Sequence, residues 1–412
     1  MSGEILFLSH RMPFPPDRGD KIRSHHVLRH LARLAPVHVA TFADDHRDLA
    51  EEAELAAVAR SYCLVERSKP LALAGVEALL RREPVSLAAF RYARIAAYVR
   101  KVLAEHPIGT IYVFSGQMGQ YVPADFGGRL LVDFVDVDSA KFAAYAQRRG
   151  GPRGWIDARE ACLLKDEEAR VAAQAHTSLL ISDEEAELFR SRLPGAQRAA
   201  CDVRTLRNGV DTHFYDPTLT RPEPRMAEHD GPRLIFTGQM DYEPNVEAVV
   251  RTAERILPRI REVLPNASLN VVGRNPPASL MALADRPGVN IWGAVEDVRP
   301  WLAGSDLALV PLDIARGVQN KVLEAMAMGL PVVLTPAAAS GIGGRDGLHF
   351  AVGESDADLA ARTVSLLVHP NHGKAMGQEA RAYLVDRMSW QAMLAPLAEL
   401  IGHQPRVRRH AA

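Results

Sequence analysis

The segment GVQNKVLEAMAMGLPVV, residues 317–333, concentrates side chains that can handle a charged ligand rich in hydroxyl groups. Lys321 and Glu324 lie three residues apart at the start of an apolar helical pattern, so they share one helix face. A lysine there can neutralise a leaving diphosphate, and a glutamate can accept hydrogen bonds from ribose hydroxyls. The alternative is an ordinary surface ion pair. Three loop residues in front of them can contact the same ligand: Gly317, Gln319 and Asn320.

Two more loops of the second half follow predicted strands. FTGQM places Gly238 directly after one strand, and VVGRN places Gly273 and Arg274 after the next. Ligands of parallel sheets bind beyond the carboxyl ends of the strands. Gly273 permits a turn, and the guanidinium of Arg274 offers the fork geometry that matches a diphosphate.

The first half contributes a loop and a group of acids. In PFPPDRGDKIRSHHVLRHL, Gly19 allows a ligand to approach the backbone and Asp20 can cap the helix that follows, so Gly19 faces a phosphate or sugar, or belongs to a plain turn. Further on, Asp136 and Asp138 follow the strand LLVDF. One of them can bind a cation, orient a sugar hydroxyl or act as a base, and Asp138 or Ser139 can instead cap the next helix.

Short apolar runs alternate with helical patterns along the whole chain, which predicts βα units and parallel sheets. The strands expected in the first half are Glu4–Ser9, Val37–Thr41, Thr110–Phe114, Leu130–Phe134 and Thr177–Ser182. Those expected in the second half are Arg233–Thr237, Ser268–Val272, Val289–Trp292, Leu307–Pro311 and Pro331–Leu334. The sequence therefore predicts a doubly wound sheet in each half.

A segment without helical period, Leu206–Pro224, separates the halves. We expect one Rossmann-like domain at 1–205 and a second at 206–376. Residues 377–412 are expected to form a helical segment, with apolar positions that pack on the rest of the chain, followed by a basic tail. A chain of 412 residues with 47% hydrophobic content can bury two cores.

Composition excludes some classes of function. The 49 Lys and Arg nearly balance the 50 Asp and Glu, which argues against nucleic acid as a partner. Three widely spaced cysteines support neither a disulfide framework nor a thiolate zinc site, and the opening apolar run is too short for a signal peptide or a membrane span. We therefore expect a cytoplasmic protein.

A basic, amphipathic stretch lies between Leu79 and Lys101. Six Arg and Lys accompany the single acid Glu83, among apolar residues that include Leu87, Phe90 and Tyr98. Such a stretch lies on anionic lipid or holds a lipid-linked phosphate acceptor, or it is a solvated helix face. Peripheral contact with the inner membrane surface follows from the first alternative.

The second half carries four segments in order: FTGQMDYEPN, VVGRNPP, GAVEDVRPWLAGSDLALVPL and GVQNKVLEAMAMGLPVVLT. With them the chain resembles, over nearly its whole length, the retaining glycosyltransferases of family 4. The opening PFPPDRGDKIRSHHVLRHLA resembles the subgroup associated with bacterial exosortase and PEP-CTERM exopolysaccharide systems.

The resemblance implies a GT-B fold, in which two Rossmann-like domains face a cleft. It makes 1–205 the acceptor-side domain and 206–376 the nucleotide-sugar domain, and it implies that the C-terminal helix within 377–412 returns to the first domain. It also implies a retaining, metal-independent reaction without a cofactor, in which a nucleotide-diphosphate sugar is the donor and a glycan or lipid-linked molecule the acceptor. Gly19 matches the loop near the donor phosphate and Glu324 the second acid of a Glu-x7-Glu motif. Lys321 and Arg274 match diphosphate contacts.

Two departures from the family pattern concern charge. Arg316 stands where the first acid of the Glu-x7-Glu motif is usual, and the basic pair usual after the first strand of the second domain is missing. Arg316, Lys321 and Arg274 are expected to supply the positive charge. The family's first-domain histidine has no match by motif, and Asp136 is the candidate catalytic group in its place.

Three other functions remain to be compared with sugar transfer. A GT-B nucleotide-sugar epimerase would isomerise or hydrolyse the donor, and an inactive module would only bind it, which the cation at Arg316 makes conceivable. A nicotinamide oxidoreductase needs a G-x-G-x-x-G fingerprint after a strand, which the sequence does not contain.

Overall fold

The computed structural model describes residues 3–228, 230–315 and 318–403. The chain divides into two compact units, one formed by residues 1–208 together with 393–412 and the other by residues 209–392. The expected boundary after residue 205 lies close to this division. The expected boundary after residue 376 lies inside a continuous helix, Pro370–Arg387.

The first unit is built on a parallel sheet of seven strands in the order β3-β2-β1-β4-β5-β6-β7. The strands are β1 (Glu4–Ser9), β2 (Val37–Ala43), β3 (Ser61–Glu66), β4 (Ile108–Phe114), β5 (Arg129–Val135), β6 (Thr177–Leu180) and β7 (Val203–Thr205). The helices are α1 (Gly19–Leu34), α2 (His46–Ala50), α3 (Glu52–Val58), α4 (Leu71–Arg81), α5 (Val85–Ala89), α6 (Ala93–Glu105), α7 (Asp138–Arg148), α8 (Gly151–Gln174), α9 (Asp183–Arg192) and α10 (Gly195–Arg198), with a 3-10 helix at Gly116–Tyr121.

The second unit repeats this plan with a parallel sheet of six strands in the order β10-β9-β8-β11-β12-β13. The strands are β8 (Arg233–Thr237), β9 (Ser268–Val272), β10 (Val289–Gly293), β11 (Leu307–Val310), β12 (Val332–Leu334) and β13 (Ala351–Val352). The helices are α11 (Glu243–Arg251), α12 (Leu257–Val263), α13 (Ala278–Met281), α14 (Arg299–Ala303), α15 (Asn320–Ala327), α16 (Pro336–Ala339), α17 (Asp356–Val368) and α18 (Pro370–Arg387). A π-helix (Thr252–Ile256) and two 3-10 helices (Pro224–Glu228 and Ala282–Asp285) complete it.

The last helices of the described residues are α19 (Trp390–Leu394) and α20 (Pro396–Leu400). The segment expected to be helical after residue 376 is helical in three parts, and the short bridge between Ser389 and Val210 separates α18 from α19. α20 packs against α1 of the first unit, and the Arg129 guanidinium donates to the carbonyl of Leu400 at 3.4 Å. The end of the chain thus belongs to the first unit.

The central strands are apolar runs buried on both faces, as expected when helices cover both sides of a parallel sheet. All ten predicted strands exist, and three of them, β1, β8 and β9, have the predicted ends. The three strands that the sequence did not predict, β3, β7 and β13, all lie at sheet edges. Within the described ranges, no helix combines the length and the apolar character that crossing a bilayer requires.

Candidate functional site

The order of strands in the second sheet reverses between β8 and β11. From β8 the chain adds β9 and β10 on one side, and from β11 it adds β12 and β13 on the other. Ligands of doubly wound sheets bind beyond the strand ends at such a switch point. A groove of about 730 Å³ lies there within the second unit. Its lining includes Gly238, Arg274, Gln319, Asn320, Lys321 and Glu324. Six residues predicted from separate parts of the sequence therefore line one groove.

Lys321 occupies the first turn of α15 and carries a partly buried ammonium group. Its Nζ donates a hydrogen bond to Oδ1 of Asn245 and lies 4.8 Å from the centre of the Phe236 ring. Burial lowers the pKa of Lys321 to about 8, although the carboxylate of Glu324 acts in the opposite direction. The ammonium is thus charged at neutral pH, and its hydrogen bond goes to a neutral amide rather than to a carboxylate.

Glu324 lies one helical turn beyond Lys321 and is held by a tyrosine. Burial raises the pKa of Glu324, while the hydroxyl of Tyr215 and the charge of Lys321 lower it by smaller amounts. Burial and the Glu324 carboxylate raise the pKa of Tyr215 well above its usual range, so the hydroxyl stays protonated and serves as a donor. The main chain of Tyr215 is fixed in turn by Arg381, whose guanidinium donates to its carbonyl at 2.7 Å.

Two glycines allow the loops after β8 and β9 to lie against each other. A Cβ on Gly273 would stand 1.7 Å from the carbonyl oxygen of Gly238. Gly238 has a φ of +154°, and a Cβ there would lie 2.9 Å from Nδ2 of Asn245. The sequence assigned Gly273 to a turn, whereas its structural role is this close backbone contact. Gly238 also leaves room beside Lys321 and Asn245.

Arg274 follows Gly273 and is exposed at the rim of the groove. Its guanidinium donates to Oε1 of Gln239 at 3.4 Å, a weak contact with a neutral group. The main chain is better fixed, because the Arg274 carbonyl accepts from the amide of Met240 at 2.9 Å. The backbone therefore positions a guanidinium whose charge is available to a ligand.

The start of α15 presents main-chain amides to the groove. Gln319 is the N-cap residue, and its carbonyl accepts from the amides of Val322 and Leu323 at 3.0 and 3.3 Å. Asn320 is the first helical residue and is exposed. A helix N-terminus favours a negatively charged group. Arg316 and Gly317, which the sequence also placed in this loop, lie outside the described residues.

Gly19 belongs to the first unit, where it is the first residue of α1 and is exposed. A Cβ on Gly19 would meet no other atom within 4 Å, so the space beside its main chain is open. The proposed cap at Asp20 is wrong, since Arg18 is the N-cap residue and Asp20 lies inside the first turn. Asp20 forms an ion pair there with Arg11, and its Oδ2 lies 3.4 Å from Nε2 of His10.

The helix α1 also buries two cations, Lys21 and Arg23. Nζ of Lys21 lies 2.6 Å from Oδ1 of Asp48. The guanidinium of Arg23 holds both oxygens of Asp133, at 2.9 and 3.1 Å, and Oδ2 of Asp133 also accepts from the hydroxyl of Tyr112 at 2.8 Å. Asp133, which lies within β5 just before Asp136, is therefore a structural ion-pair partner.

The candidate catalytic group Asp136 follows β5 and is exposed. The protein around its carboxylate still excludes enough water to raise its pKa, and the nearby carboxylates of Glu185 and Asp138 raise it further. Val135 has a φ of +68° and turns the chain between β5 and Asp136. The adjoining cavity has a volume of about 10 Å³, too small for a sugar.

The sequence offered Asp138 or Ser139 as the cap of α7. The structure shows instead that acids from other helices cap its first turn. The amide of Val137 donates to Oε2 of Glu185 at 2.8 Å, and the amide of Ser139 donates to Oε1 of Glu168 at 2.9 Å. Asp138 accepts instead from the side-chain amide of Gln117 at 3.1 Å. Burial raises the pKa of Glu168 to about 7, against the effect of these hydrogen bonds.

One group of metal-ligating residue types, which the sequence did not reveal, occurs in the described part of the chain: Glu4, His38 and His106. It lies where β1 and β2 begin, at the opposite edge of the sheet from the carboxyl ends of the strands. Oε2 of Glu4 lies 2.7 Å from Nε2 of His38 and 3.2 Å from Nδ1 of His106, so hydrogen bonds satisfy the group. Cys63, Cys162 and Cys201 are free thiols.

Comparison with known proteins places the groove in a recognised domain. Residues 231–369 match the family model described as "Glycosyl transferases group 1". This segment is similar to the glycosyltransferase group 1 family. It contains every described residue of the groove except those of the segment before β8, such as Tyr215.

A relative of known activity matches part of the chain. Phosphatidyl-myo-inositol mannosyltransferase from Propionibacterium freudenreichii subsp. shermanii is 32% identical over 128 residues. The match covers 31% of the chain and 31% of that relative, so the chain spans about a third of the length of this protein.

Solved structures resemble the chain over almost its whole length. Sucrose-phosphate synthase from Thermosynechococcus elongatus has a TM-score of 0.56 at 15% identity, over 96% of this chain and 98% of the other. Anabaena Alr3699/HepE in complex with UDP-glucose has a TM-score of 0.57 at 14% identity, over 98% and 100%. WaaG, a glycosyltransferase of lipopolysaccharide biosynthesis, has a TM-score of 0.55 at 18% identity, over 97% and 100%. At these identities the likeness establishes the fold, and the predicted GT-B fold is confirmed.

Sequence reasoning missed two polar residues of the groove's support. Tyr215 lies in the segment predicted as a linker, where no periodic pattern marks it. Asn245 is 4% exposed, and its side chain joins Lys321 to the carbonyl of Gln239. A polar residue at the start of a helix after a strand was its only signal in the sequence.

Proposed function

We propose that the chain is a retaining glycosyltransferase that moves a sugar from a nucleotide-diphosphate sugar to a glycan or lipid-linked acceptor. The observation that carries the proposal is that Lys321, Arg274 and Glu324 line one groove at the switch point of a domain similar to the glycosyltransferase group 1 family. Two cations whose hydrogen bonds go to amides, together with helix N-terminal amides, suit a diphosphate.

Different side chains of the groove contact the diphosphate and the ribose of the donor. As the bond from the sugar C1 to the β-phosphate oxygen breaks, negative charge grows on the diphosphate, and Lys321 and Arg274 stabilise it. C1 bonds to the acceptor oxygen, and the proton of that hydroxyl leaves to a base or to the departing phosphate. Glu324 accepts hydrogen bonds from the ribose, with Tyr215 holding its carboxylate in place.

Because cations of the chain supply the charge, the proposed reaction proceeds without a metal ion or a cofactor. We assign Gly238, Gln319, Asn320 and the loop residues Arg316 and Gly317 to the donor, and we assign Gly19 of the first unit to its phosphate side. Asp136 is the proposed catalytic base, because its raised pKa brings a carboxylate closer to neutral pH.

The comparisons support a nucleotide sugar as the donor and a lipid as one kind of acceptor. Alr3699/HepE was solved with UDP-glucose, and the name of the mannosyltransferase relative contains phosphatidyl-myo-inositol. The resemblance of residues 13–32 to PEP-CTERM system proteins suggests exopolysaccharide biosynthesis as the setting, with the chain in the cytoplasm at the inner membrane surface.

The proposal is tested by screening UDP-, GDP-, ADP- and dTDP-sugars for thermal stabilisation, followed by product analysis with the stabilising donor. A specific donor binds the folded chain and raises its melting temperature by mass action. The expected result is stabilisation by one donor and retention of configuration at C1 in the product, unaffected by EDTA. A melting temperature that no nucleotide sugar raises contradicts the proposal.

Product analysis also separates the two other functions. An epimerase returns an isomerised donor in the absence of acceptor, whereas an inactive module is stabilised by the donor and leaves it intact with every acceptor extract tried.

A further inference from the structure

Helix α4 exposes its large apolar side chains and buries its small ones. Ala74 and Ala78 face the protein and are fully buried, whereas Leu80 is 81% exposed and Leu73 is 57% exposed. Val76 and Leu79 share the exposed face, because residues at these spacings lie on one side of a helix. A surface helix normally has the reverse arrangement.

The exposed face of α4 continues onto the start of α8. The guanidinium of Arg159 on α8 donates to the carbonyls of Ala78 and Glu83 at the end of α4, at 3.0 and 3.2 Å. Trp155 and Ile156 lie one turn before Arg159 on the same side of α8 and are 62% and 49% exposed. Leu73, Val76, Leu79, Leu80, Trp155 and Ile156 therefore form one exposed surface, called here the α4–α8 surface.

The charges around this surface are mainly positive. Among the described residues, Arg82 at the end of α4 and Arg153 at the start of α8 have no ion-pair partner, and both are exposed. The neighbouring acids are neutralised, since Glu77 and Glu83 both form ion pairs with Arg91. Available cations beside exposed leucines and a tryptophan are the composition of a helix that lies on a membrane.

We propose that the α4–α8 surface docks the chain onto an anionic lipid bilayer. The leucines of α4 and the indole of Trp155 enter the boundary between headgroups and acyl chains, and the arginines contact lipid phosphates. Helix α4 is roughly 16 Å long, so it lies in the interface instead of crossing the bilayer. A second copy is a poor occupant, because a twofold contact would bring Arg82 and Arg153 of both copies together.

The α4–α8 surface includes only the first residues of the basic stretch between Leu79 and Lys101. Helix α6, which carries Arg94 and Arg100, packs Ile95 and Val99 into the core, and Leu87 of α5 is buried too. These apolar residues of α5 and α6 are therefore unavailable to lipid. The inference deepens the proposed function and rests on it in one respect, because docking on a bilayer would bring the enzyme to a lipid-linked acceptor.

The test is flotation of the full chain with vesicles of phosphatidylcholine alone or with about 30% phosphatidylglycerol, in the absence of donor. We expect binding to the anionic vesicles that salt weakens, and a reduction of at least about tenfold for the double variant Leu73→Asp/Leu80→Asp. Leu219→Asp/Val263→Asp is the matched control, because these residues of the second unit are 75% and 58% exposed. The control should bind like the unmodified chain.

A second readout identifies the inserted residue. Tryptophan emission should shift to shorter wavelength on anionic vesicles, and Trp155→Phe should abolish the shift. Equal loss of binding in both double variants, no binding by the unmodified chain, or a dimer that only Leu73→Asp/Leu80→Asp dissociates would each overturn the proposal. Donor-induced thermal stabilisation, measured on the same variants without vesicles, should persist, so failure of docking is distinguishable from failure of the proposed transfer.

Discussion

The two units share one topology and differ in how they treat the cations near the strand ends. In the first unit, Lys21 and Arg23 are buried and each is matched by a carboxylate, Asp48 or Asp133. In the second unit, Lys321 and Arg274 form hydrogen bonds to the amides of Asn245 and Gln239. An amide orients a cation without cancelling its charge.

This difference indicates which cations can serve a ligand. In a buried ion pair, the charge of the cation is neutralised by its partner in the chain. Removing the cation leaves an uncompensated carboxylate buried. A cation held by an amide keeps its charge for a diphosphate. The comparison therefore indicates that Lys21 and Arg23 stabilise the first unit, and it is the basis of our proposal that Lys321 and Arg274 bind the donor.

The largest effect is expected from Arg23→Met. Asp133 would remain fully buried without its partner, which should lower the free energy of unfolding by about 3–5 kcal/mol. Urea unfolding followed by circular dichroism measures it. The double variant Arg23→Met/Asp133→Asn removes the unpaired charge and should recover at least about 1 kcal/mol. An unchanged unfolding midpoint in the single variant would show that the pair is not structural.

In the second unit, Lys321→Met should act on catalysis and leave the fold intact. Loss of one charge that stabilises the leaving group should lower kcat by about 100- to 1000-fold. The pKa of about 8 means that the folded chain holds this proton less tightly than the unfolded chain, so the buried charge costs stability below pH 8. The melting temperature should therefore stay the same or rise.

Lys374→Met, at an exposed lysine of α18, is the control for this variant and should keep full activity. A Lys321→Met variant that unfolds would place this lysine with the structural cations of the first unit.

Donor affinity should depend on pH through the same lysine. The ammonium binds diphosphate only when it is protonated, so donor affinity should fall by about tenfold per unit as pH rises above about 8. Lys321→Arg keeps its charge at these pH values and should flatten the profile. Calorimetric titrations between pH 7 and about 9.5 measure both. A falling limb that persists unchanged in the arginine variant would assign it to another group.

The smallest effect is expected from Tyr215→Phe. The variant removes one hydrogen bond to Glu324 and should raise the KM for the donor by about three- to tenfold, with little change in kcat. Tyr242→Phe, at an exposed tyrosine of the same groove, is the comparison and should have a smaller effect. Equal effects of the two substitutions would remove Tyr215 from the account.

The sequence predicted the central strands and the groove because their signals are local. β8 and β9 are apolar runs that end at glycines, and Lys321 and Glu324 are three residues apart on one helix. The edge strands β3, β7 and β13 are short or only partly buried, so hydrophobic periodicity does not mark them. A pattern within a single segment was therefore enough to predict the elements that form the centre of each sheet and the lining of the groove.

Pairings between distant segments were beyond the sequence. Arg23 and Asp133 are 110 residues apart, so their burial as a pair follows only from the order of the strands. The inverted face of α4 has the same cause. No prediction was made from the sequence for its leucines, and the burial of Ala74 and Ala78 shows that they face outward.

The central claim is that Lys321 and Arg274 bind the donor's diphosphate, and isothermal titration calorimetry of nucleosides and nucleoside diphosphates tests it most directly. The unmodified chain should bind its preferred nucleoside diphosphate at least about 100-fold more tightly than the corresponding nucleoside. In the double variant Lys321→Met/Arg274→Met, this preference should shrink to less than about fivefold while nucleoside affinity stays the same. A preference for the diphosphate that survives both substitutions would contradict the account.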